Sequence, residues 1–298
     1  MGYGSIAKTL MSIISDLGEE YDITICDVKD GGVTGQEIIE RDHDKFDVVI
    51  NLTDEYSTPI MELCDKYKLK YLDAGFEDEN SIFVKRFLEV STRDDGNTHL
   101  FGFGMNPGIV EFMPFMIESD RPHISCVFET DLPVPTEEDK DKLYATWCPT
   151  TYYDESVVLE AFLSTENEVC RYVPRDVRYN IPLDTKSVGI LYYDGTDNVK
   201  YVVNCSDHGK CCERYKHNAT CYQTACGVYI GMQLLSMVPE GTSWTFTKAS
   251  KYYFNEIREM LKKLDFEVDI IDNYMSKEQF EERILPLFGQ DVVEQFIK

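Results

Sequence analysis

Apolar positions in the first hundred residues alternate between the spacing of helices and that of strands. From 6 to 17, for example, Leu10, Ile13, Ile14 and Leu17 share one helical face, whereas 46–52 is a nearly continuous apolar run. We predict helices at 6–17, 35–41, 58–67 and 80–90, and strands at 21–27, 46–52, 69–73 and 99–103. Strands that alternate with helices predict an α/β fold with a parallel sheet and right-handed crossovers.

The pattern changes after residue 106. Asn106-Pro107 has the cap residue and first-turn proline that begin a helix, predicted to run to about Glu118. Later β-rich segments predict a second, α+β domain with a mostly antiparallel sheet. A long helix is predicted at 215–237, and three short helices after residue 251. The expected division is therefore 1–106, 107–240 and a C-terminal helical segment, 241–298, that packs on the domains.

The first turn of the chain matches a dinucleotide-binding signature. Residues 2–7, GYGSIA, fit G-x-G-x-x-A, in which Gly2 permits the tight turn and Gly4 lets the backbone approach a pyrophosphate. The helix that begins at Ser5 and Ile6 would add amide groups and a positive dipole end. Asp27 lies 23 residues after Gly4, where an acid binds the ribose hydroxyls and repels a 2′-phosphate. The pattern predicts a Rossmann-type domain that binds NAD.

The strand that should precede this motif is missing from the sequence. In this fold it is the central strand, and without it the backbone groups of its neighbours would lack partners. Three explanations stay open: a mis-assigned start codon, a truncated chain, or a sheet that lacks the strand. We favour the first two and expect the upstream reading frame to encode about five apolar residues.

Composition narrows the function classes. With 29 Lys and Arg against 54 Asp and Glu, the net charge is -25, which argues against nucleic acid and anionic membranes. A cationic small molecule is compatible with that charge, although solubility alone also explains it. The ten cysteines form no Cys-x-x-Cys pair, and we see neither a signal peptide nor a membrane span, so we expect a cytoplasmic protein. His208, Cys211, Cys212, His217 and Cys221 lack the spacing of paired zinc ligands, and we expect no metal.

Three segments resemble homospermidine synthase and its saccharopine-dehydrogenase-like relatives. Residues 49–77, VINLTDEYSTPIMELCDKYKLKYLDAGFE, are similar to a family block with Asn-Leu, Glu-Leu-Cys, Tyr-Leu-Asp and a following Glu. Residues 102–110, GFGMNPGIV, resemble the family's Gly-x-Asn-Pro-Gly segment, and Thr146-Trp147 resembles the pair that opens its active-site strand. The resemblance covers about the first 150 residues and is faint beyond them.

This resemblance implies an NAD-dependent aminobutyl transferase. Enzymes of the family oxidise putrescine to an imine, a second amine attacks, ammonia leaves, and the retained NADH reduces the new imine. The implied partners are a polyamine substrate and a second copy in a homodimer, with neither nucleic acid nor membrane. The implied catalytic residues are Glu77, Asn106 and Trp147, and the implied cofactor-binding set extends to Asn51, Leu52 and Thr53.

The chain departs from the family pattern at two catalytic positions. The family has a Glu three residues after the Trp, where this chain has Thr150, so Glu155 is the candidate substitute. The family's strand His is replaced by Tyr193 or Asp194, which leaves His217 as an alternative acid or base. Two alternatives therefore stay open. One is a saccharopine- or carboxynorspermidine-type dehydrogenase, for which Arg171, Arg175 and Arg178 would bind carboxylates. The other is a non-catalytic NAD-binding protein.

Overall fold

The structure, a computed structural model, groups the chain into two compact units. The first contains Met1–Ile109 and Cys221–Leu264, and the second contains Val110–Thr220 and Asp265–Lys298. This grouping differs from the three-segment division, because 221–264 joins the N-terminal segment and 265–298 joins the middle one. The residues described are 1–27, 34–53, 57–75, 96–118, 123–130, 143–144, 158–159, 170–171 and 185–283.

Both units contain helices and strands. The α-helices are α1 (Ser5–Asp16), α2 (Gly35–Asp42), α3 (Ser57–Tyr67), α4 (His208–Tyr215), α5 (Ala219–Leu234), α6 (Phe246–Tyr252), α7 (Phe254–Lys263) and α8 (Lys277–Arg283). The strands are β1 (Val48–Asn51), β2 (Lys70–Asp73), β3 (His99–Phe101), β4 (Ile124–Thr130), β5 (Leu143–Tyr144), β6 (Val158–Leu159), β7 (Cys170–Arg171), β8 (Thr185–Tyr193), β9 (Asn198–Asp207), β10 (Ser243–Thr245) and β11 (Asp269–Ser276).

The first unit contains a parallel four-stranded sheet in the order β1-β2-β3-β10. In β2 and β3 the side chains of Tyr71, Leu72, Leu100 and Phe101 are completely buried, as expected of strands covered on both faces. The side chains of α2 and α3 pack against β1, β2 and β3 in a single apolar cluster. The predicted α/β fold with a parallel sheet is confirmed, as are the predicted helices over 6–17, 35–41 and 58–67.

The segment 21–27 is not a strand, although its sequence predicts one. The structure assigns no strand over Tyr21–Asp27, and the backbone hydrogen bond found there runs from Gly2 N–H to the Cys26 carbonyl, 2.8 Å. A strand is stabilised by a neighbour, and here the neighbour available is the short stretch Met1–Gly2. The prediction of a strand at 21–27 is therefore wrong, because the segment lacks a pairing partner and not because it lacks β propensity.

The second unit contains a five-stranded sheet in the order β11-β9-β8-β4-β6. The β11–β9, β9–β8 and β8–β4 pairs are antiparallel, and β4–β6 is parallel. The predicted second, mostly antiparallel sheet is therefore confirmed. The C-terminal segment was expected to be helical, but Asp269–Ser276 is a strand, because Ile270 and Ile271 and then Met275 and Ser276 pair along β9.

Two predicted helices differ from the structure: one is not an α-helix, and the other is divided. Asn106-Pro107 does not begin an α-helix, because Gly108 has a φ of 135°, and short 3₁₀ turns follow at Ile109–Glu111 and Met113–Met116. Pro114, which has no backbone N–H, lies inside the predicted helix. The predicted 215–237 helix is interrupted at Lys216, whose φ of 62° ends α4, and α5 begins at Ala219.

Candidate functional site

The glycine-rich turn lies against the loop that follows β1. Gly2 has a φ of 77°, and a Cβ built on it would lie 2.5 Å from the Leu52 carbonyl oxygen. Only glycine fits this approach. The amide of Leu52 in turn donates to the carbonyl of Met1 at 2.9 Å. The turn and the carboxyl end of β1 are thus held together by the backbone.

Gly4 faces open space, and α1 begins directly after it. Apart from its chain neighbours, no atom of the described residues lies within 4 Å of a Cβ built on Gly4, which has ordinary dihedrals (φ -78°) and occupies the N-cap of α1. The amides of Ser5, Ile6 and the next residue form the first turn, whose N–H groups have no intrahelical acceptors. An anion can therefore approach this helix end without meeting a side chain at Gly4.

Asp27 lies beside the same turn. Its carboxylate oxygen Oδ2 accepts a hydrogen bond from the Tyr3 backbone amide at 3.1 Å. The acidic residue at the end of 21–27 is thus in contact with the glycine turn, although the segment is not a strand. The arrangement places a carboxylate next to the helix end where a dinucleotide would lie.

Asn51 organises the loop after β1. Its Oδ1 accepts from the Thr53 backbone amide at 3.2 Å and from the Thr53 hydroxyl at 2.7 Å. Its Nδ2 donates to the Tyr71 hydroxyl at 3.2 Å. The structure therefore brings the sequence-predicted residues Gly2, Asp27, Asn51, Leu52 and Thr53 into one network of turns, together with the start of α1.

Sequence reasoning missed a buried polar cluster that adjoins this network. The Tyr71 hydroxyl donates to Asp73 Oδ2 at 3.0 Å, and the Gly102 amide donates to Asp73 Oδ1 at 2.8 Å. The side chain of Ser57 also hydrogen-bonds to Asp73. Burial raises the pKa of Asp73 to about 7, although these hydrogen bonds act to lower it. Burial also raises the pKa of Tyr71 well above its usual value.

The position of Asp73 is visible in the sequence as an acid that ends a strand of apolar residues. The carboxyl end of a parallel strand is where α/β sheets place their ligand-binding groups. An acid with a pKa near neutrality at that edge is able to take up or release a proton at physiological pH. Tyr71-Leu72-Asp73 resembles part of a family block, but nothing in the spacing of these residues indicates how deeply they are buried.

The predicted catalytic residues are only partly described. Asn106 lies in the Gly104–Gly108 turn of the first unit and does not cap a helix. The backbone of α5 presses on this turn, since a Cβ on Gly227 would lie 2.0 Å from the Gly104 carbonyl oxygen. His217 belongs to the second unit and lies in the connection between α4 and α5 rather than at a helix start. Glu77, Trp147 and Glu155 fall outside the described residues, as do the side chains of Arg171, Arg175 and Arg178.

The candidate metal ligands between His208 and Cys221 lie in α4, in the connection after it and in the first turns of α5. His208 is buried, and its Nδ1 accepts from the Ala219 amide at 3.2 Å. In the part of the chain that the structure describes, no three His, Cys, Asp or Glu side chains are grouped as metal ligands. Nor does any described helix have the length and apolar character needed to cross a membrane.

Comparison with known proteins gives a similarity at the level of fold. No protein-family model matches the chain, and no curated protein does so either. A solved structure that matches is the homospermidine synthase from Legionella pneumophila in complex with NAD, with a TM-score of 0.56 and 12% sequence identity. The chain shares its fold. The match covers 90% of this chain and 89% of that one, so it extends over nearly all of both.

Proposed function

We propose that this protein is an NAD-dependent enzyme that acts on amines, with homospermidine-synthase-like aminobutyl transfer as its reaction. The observation that carries the proposal is the contact between the Asp27 carboxylate and the Tyr3 amide, at the glycine turn that opens α1. The fold match supports it independently, since that homospermidine synthase was crystallised with NAD. The polyamine pathway class, the cytoplasmic location and the homodimer expected from the sequence belong to the same proposal.

The residues of the turn fit a dinucleotide. Gly2 has no room for a side chain, and the space beside Gly4 is open. A pyrophosphate at this turn would therefore meet backbone amides instead of side chains. Asp27 would accept hydrogen bonds from the ribose hydroxyls, and its charge would oppose a 2′-phosphate. NAD held by these residues would supply a hydride acceptor for the carbon next to an amine, and a hydride donor for the later reduction.

The transfer itself needs proton movements and cation binding from the chain. Putrescine loses a hydride and a proton to become an imine, a second amine adds to the imine carbon, ammonia leaves, and the hydride returns to the new imine. Each addition and departure moves a proton, a role for a group whose pKa lies near neutrality. Asn106 in the Gly104–Gly108 turn is the described residue proposed to contact substrate, and Glu77, Trp147, Glu155 and His217 complete the proposed set.

The reaction is tested with protein, NAD and putrescine alone. We expect homospermidine and ammonia in equal amounts with no accumulation of NADH. Turnover that needs a carboxylated imine and a reduced cofactor would replace this proposal by the dehydrogenase alternative. Binding of NAD without product in either assay would replace it by a non-catalytic NAD-binding role.

A matched variant connects the assay to the site. Asn106→Asp keeps the side-chain shape but removes the amide donor, and we expect at least a tenfold loss of turnover with NAD affinity unchanged. Asn255→Asp makes the same change at an amide outside the turn and should leave turnover intact. Equal turnover in both variants would remove Asn106 from the proposed site.

A further inference from the structure

Asp73 is connected to the candidate cofactor loop by a continuous line of side-chain hydrogen bonds. Its oxygen Oδ2 accepts from the Tyr71 hydroxyl at 3.0 Å, and the Tyr71 oxygen accepts from Asn51 Nδ2 at 3.2 Å. On the other side of the Asn51 amide, Oδ1 accepts from the Thr53 backbone amide at 3.2 Å and from its hydroxyl at 2.7 Å. The line therefore runs from the end of β2, across the end of β1, into the loop after β1.

The two ends of this line differ in their access to a ligand. Asp73 is 1% exposed and Tyr71 is completely buried, so neither side chain is placed to touch a bound molecule. Thr53 is partly exposed, and its methyl carbon would lie 3.1 Å from a Cβ built on Gly2 in the glycine turn. Any influence of Asp73 on a dinucleotide at that turn would therefore pass through the side chains between them.

The groups that face Asp73 come from four elements. Tyr71 belongs to the same strand, and the Ser57 hydroxyl of α3 hydrogen-bonds to the carboxyl group. The Gly102 amide, after β3, donates to Oδ1 at 2.8 Å. Helix α5 approaches β2 with Gly231, which has no side chain to ionise. Tyr71 is the titratable group among these neighbours, and burial is the largest cause of the raised pKa of Asp73.

The ionised form of Asp73 accounts for the direction of each hydrogen bond in the line. A carboxylate only accepts, so the Tyr71 hydroxyl donates to it, and the Tyr71 oxygen is left to accept from Asn51 Nδ2. The Asn51 amide then presents Oδ1 to Thr53, whose backbone N–H is always a donor. The observed donors and acceptors are thus those that a charged Asp73 favours.

A proton on Asp73 would reverse this order. Since Oδ1 accepts from the Gly102 amide, the proton would be on Oδ2 and would point at the Tyr71 oxygen. Tyr71 would then donate to Asn51, whose amide would turn so that Nδ2 faces Thr53. Two N–H donors would meet there, and a buried donor without an acceptor is unfavourable, so the loop after β1 would have to move.

We propose that Asp73 is a positioning residue for the cofactor: its ionised form, acting through Tyr71 and Asn51, holds the loop after β1 in the shape that accepts NAD. The inference rests on the NAD site proposed above. Ionisation of Asp73 and binding of NAD favour each other, so NAD affinity falls as the pH is lowered, and binding near pH 7 releases protons. The phosphate charge of NAD acts in the opposite direction, because a nearby anion favours the protonated acid.

The test measures NAD affinity by titration calorimetry at pH 5.5 and pH 8. Proton exchange at pH 7 is obtained from two buffers that differ in ionisation enthalpy. For the wild type we expect the Kd to be about tenfold higher at pH 5.5, because the competent form is then a minor fraction. We also expect the release of about half a proton per NAD at pH 7, since about half of the Asp73 groups are protonated before binding.

Two variants connect these effects to the line of hydrogen bonds. Tyr71→Phe interrupts the line and should abolish both the pH dependence and the proton release. Asp73→Asn replaces Oδ2 by an N–H donor, so it should bind NAD at both pH values as weakly as the wild type does at pH 5.5. Tyr252→Phe and Asp44→Asn make the same changes at exposed residues and should keep the wild-type values.

Each other outcome contradicts the proposal. Equal wild-type affinity at the two pH values would mean that Asp73 does not control the loop, and a pH dependence that survives in Tyr71→Phe would mean that it does not act through Tyr71. Uptake of protons on binding would assign the effect to the phosphate charge. These wild-type measurements need no variant to fold. A wild-type protein that binds no NAD even at pH 8 would remove the proposed function, and this inference with it.

Discussion

The Tyr71 hydroxyl donates a hydrogen bond to the carboxyl group of Asp73 across 3.0 Å, and both side chains are buried at the carboxyl end of β2. Burial raises the pKa of Asp73 from 3.8 to about 7. In the folded protein the group therefore stays protonated from about pH 4 to 7, whereas in the unfolded chain it ionises. The unfolded state binds fewer protons over that range, so this group lowers the free energy of unfolding as the pH rises toward 7.

The variant Asp73→Asn has no proton to lose and should have a flatter pH profile. The group contributes a slope of up to about 1.4 kcal/mol per pH unit, so the variant should gain a few kcal/mol relative to wild type between pH 5 and pH 8. Urea unfolding at both pH values measures this. The exposed acid in Asp22→Asn is the control. The same difference between variant and wild type at the two pH values would contradict an elevated pKa.

The Asp27 carboxylate should determine the choice between NAD and NADP. Asp27→Asn keeps an oxygen that accepts from the Tyr3 amide but removes the charge. We expect a loss of NAD affinity of about tenfold or more and a smaller or reversed change for NADP, because a charged hydrogen bond is lost and a repulsion is relieved. Isothermal titration with both nucleotides measures the ratio. Glu20→Gln removes an exposed charge nearby in sequence and is the control. If it shifts the ratio of NAD to NADP affinity equally, the effect is due to net charge and not to the position of Asp27.

Two glycines of the turn should respond differently to alanine. Gly2→Ala puts a methyl group 2.5 Å from the Leu52 carbonyl at a φ of 77°, so we expect the free energy of unfolding to fall by about 1–3 kcal/mol. In Gly4→Ala the new methyl group has no other described residue within 4 Å, so stability should change by less than about 0.5 kcal/mol. If a dinucleotide lies on this turn, Gly4→Ala should nevertheless weaken NAD binding about tenfold or more, although it hardly changes stability. Unchanged NAD affinity in Gly4→Ala would contradict that placement.

Local signals in the sequence are sufficient where pairing partners are also local. Apolar periodicity predicts α1 and α3, and a nearly continuous apolar run predicts β1. The same reasoning fails for 21–27, because strand formation depends on a neighbour and not on propensity alone. It also misses the strand at Asp269–Ser276, whose pairing along β9 joins residues about 70 positions apart.

The candidate site is predictable to a similar extent. The glycine spacing and Asp27 identify the turn, because the turn requires these residue types at these positions and the requirement is visible in the sequence. The Asp73 cluster is not predicted as a site, since burial and the approach of the Gly102 amide arise from tertiary packing. Asn106 was predicted to cap a helix but lies in a turn. Residue spacing does not reveal this, because it depends on the φ of 135° at Gly108.

The close packing of α5 on the Gly104–Gly108 turn makes a last prediction from two glycines of one helix. A Cβ on Gly227 would lie 2.0 Å from the Gly104 carbonyl oxygen, which is backbone and already accepts from Ile109 N–H at 3.1 Å. A Cβ on Gly231 would lie 2.6 Å from Leu72 Cδ1 and 3.0 Å from Phe103 Cδ1, which are ends of side chains and not backbone atoms. Both substitutions gain about 1 kcal/mol of helix propensity, so their difference reports the contact.

We therefore expect Gly227→Ala to lower the free energy of unfolding by about 1–3 kcal/mol, because helix and turn must separate, and Gly231→Ala to lower it by less, because side chains and not backbone must move. Urea unfolding measures both values. Amide hydrogen exchange locates the effect: Ile109 N–H should exchange faster in Gly227→Ala and at the wild-type rate in Gly231→Ala. Since Asn106 lies in the same turn, Gly227→Ala should also reduce putrescine turnover. Equal stability of the two variants would mean that the helix and the turn do not approach as closely as this packing requires.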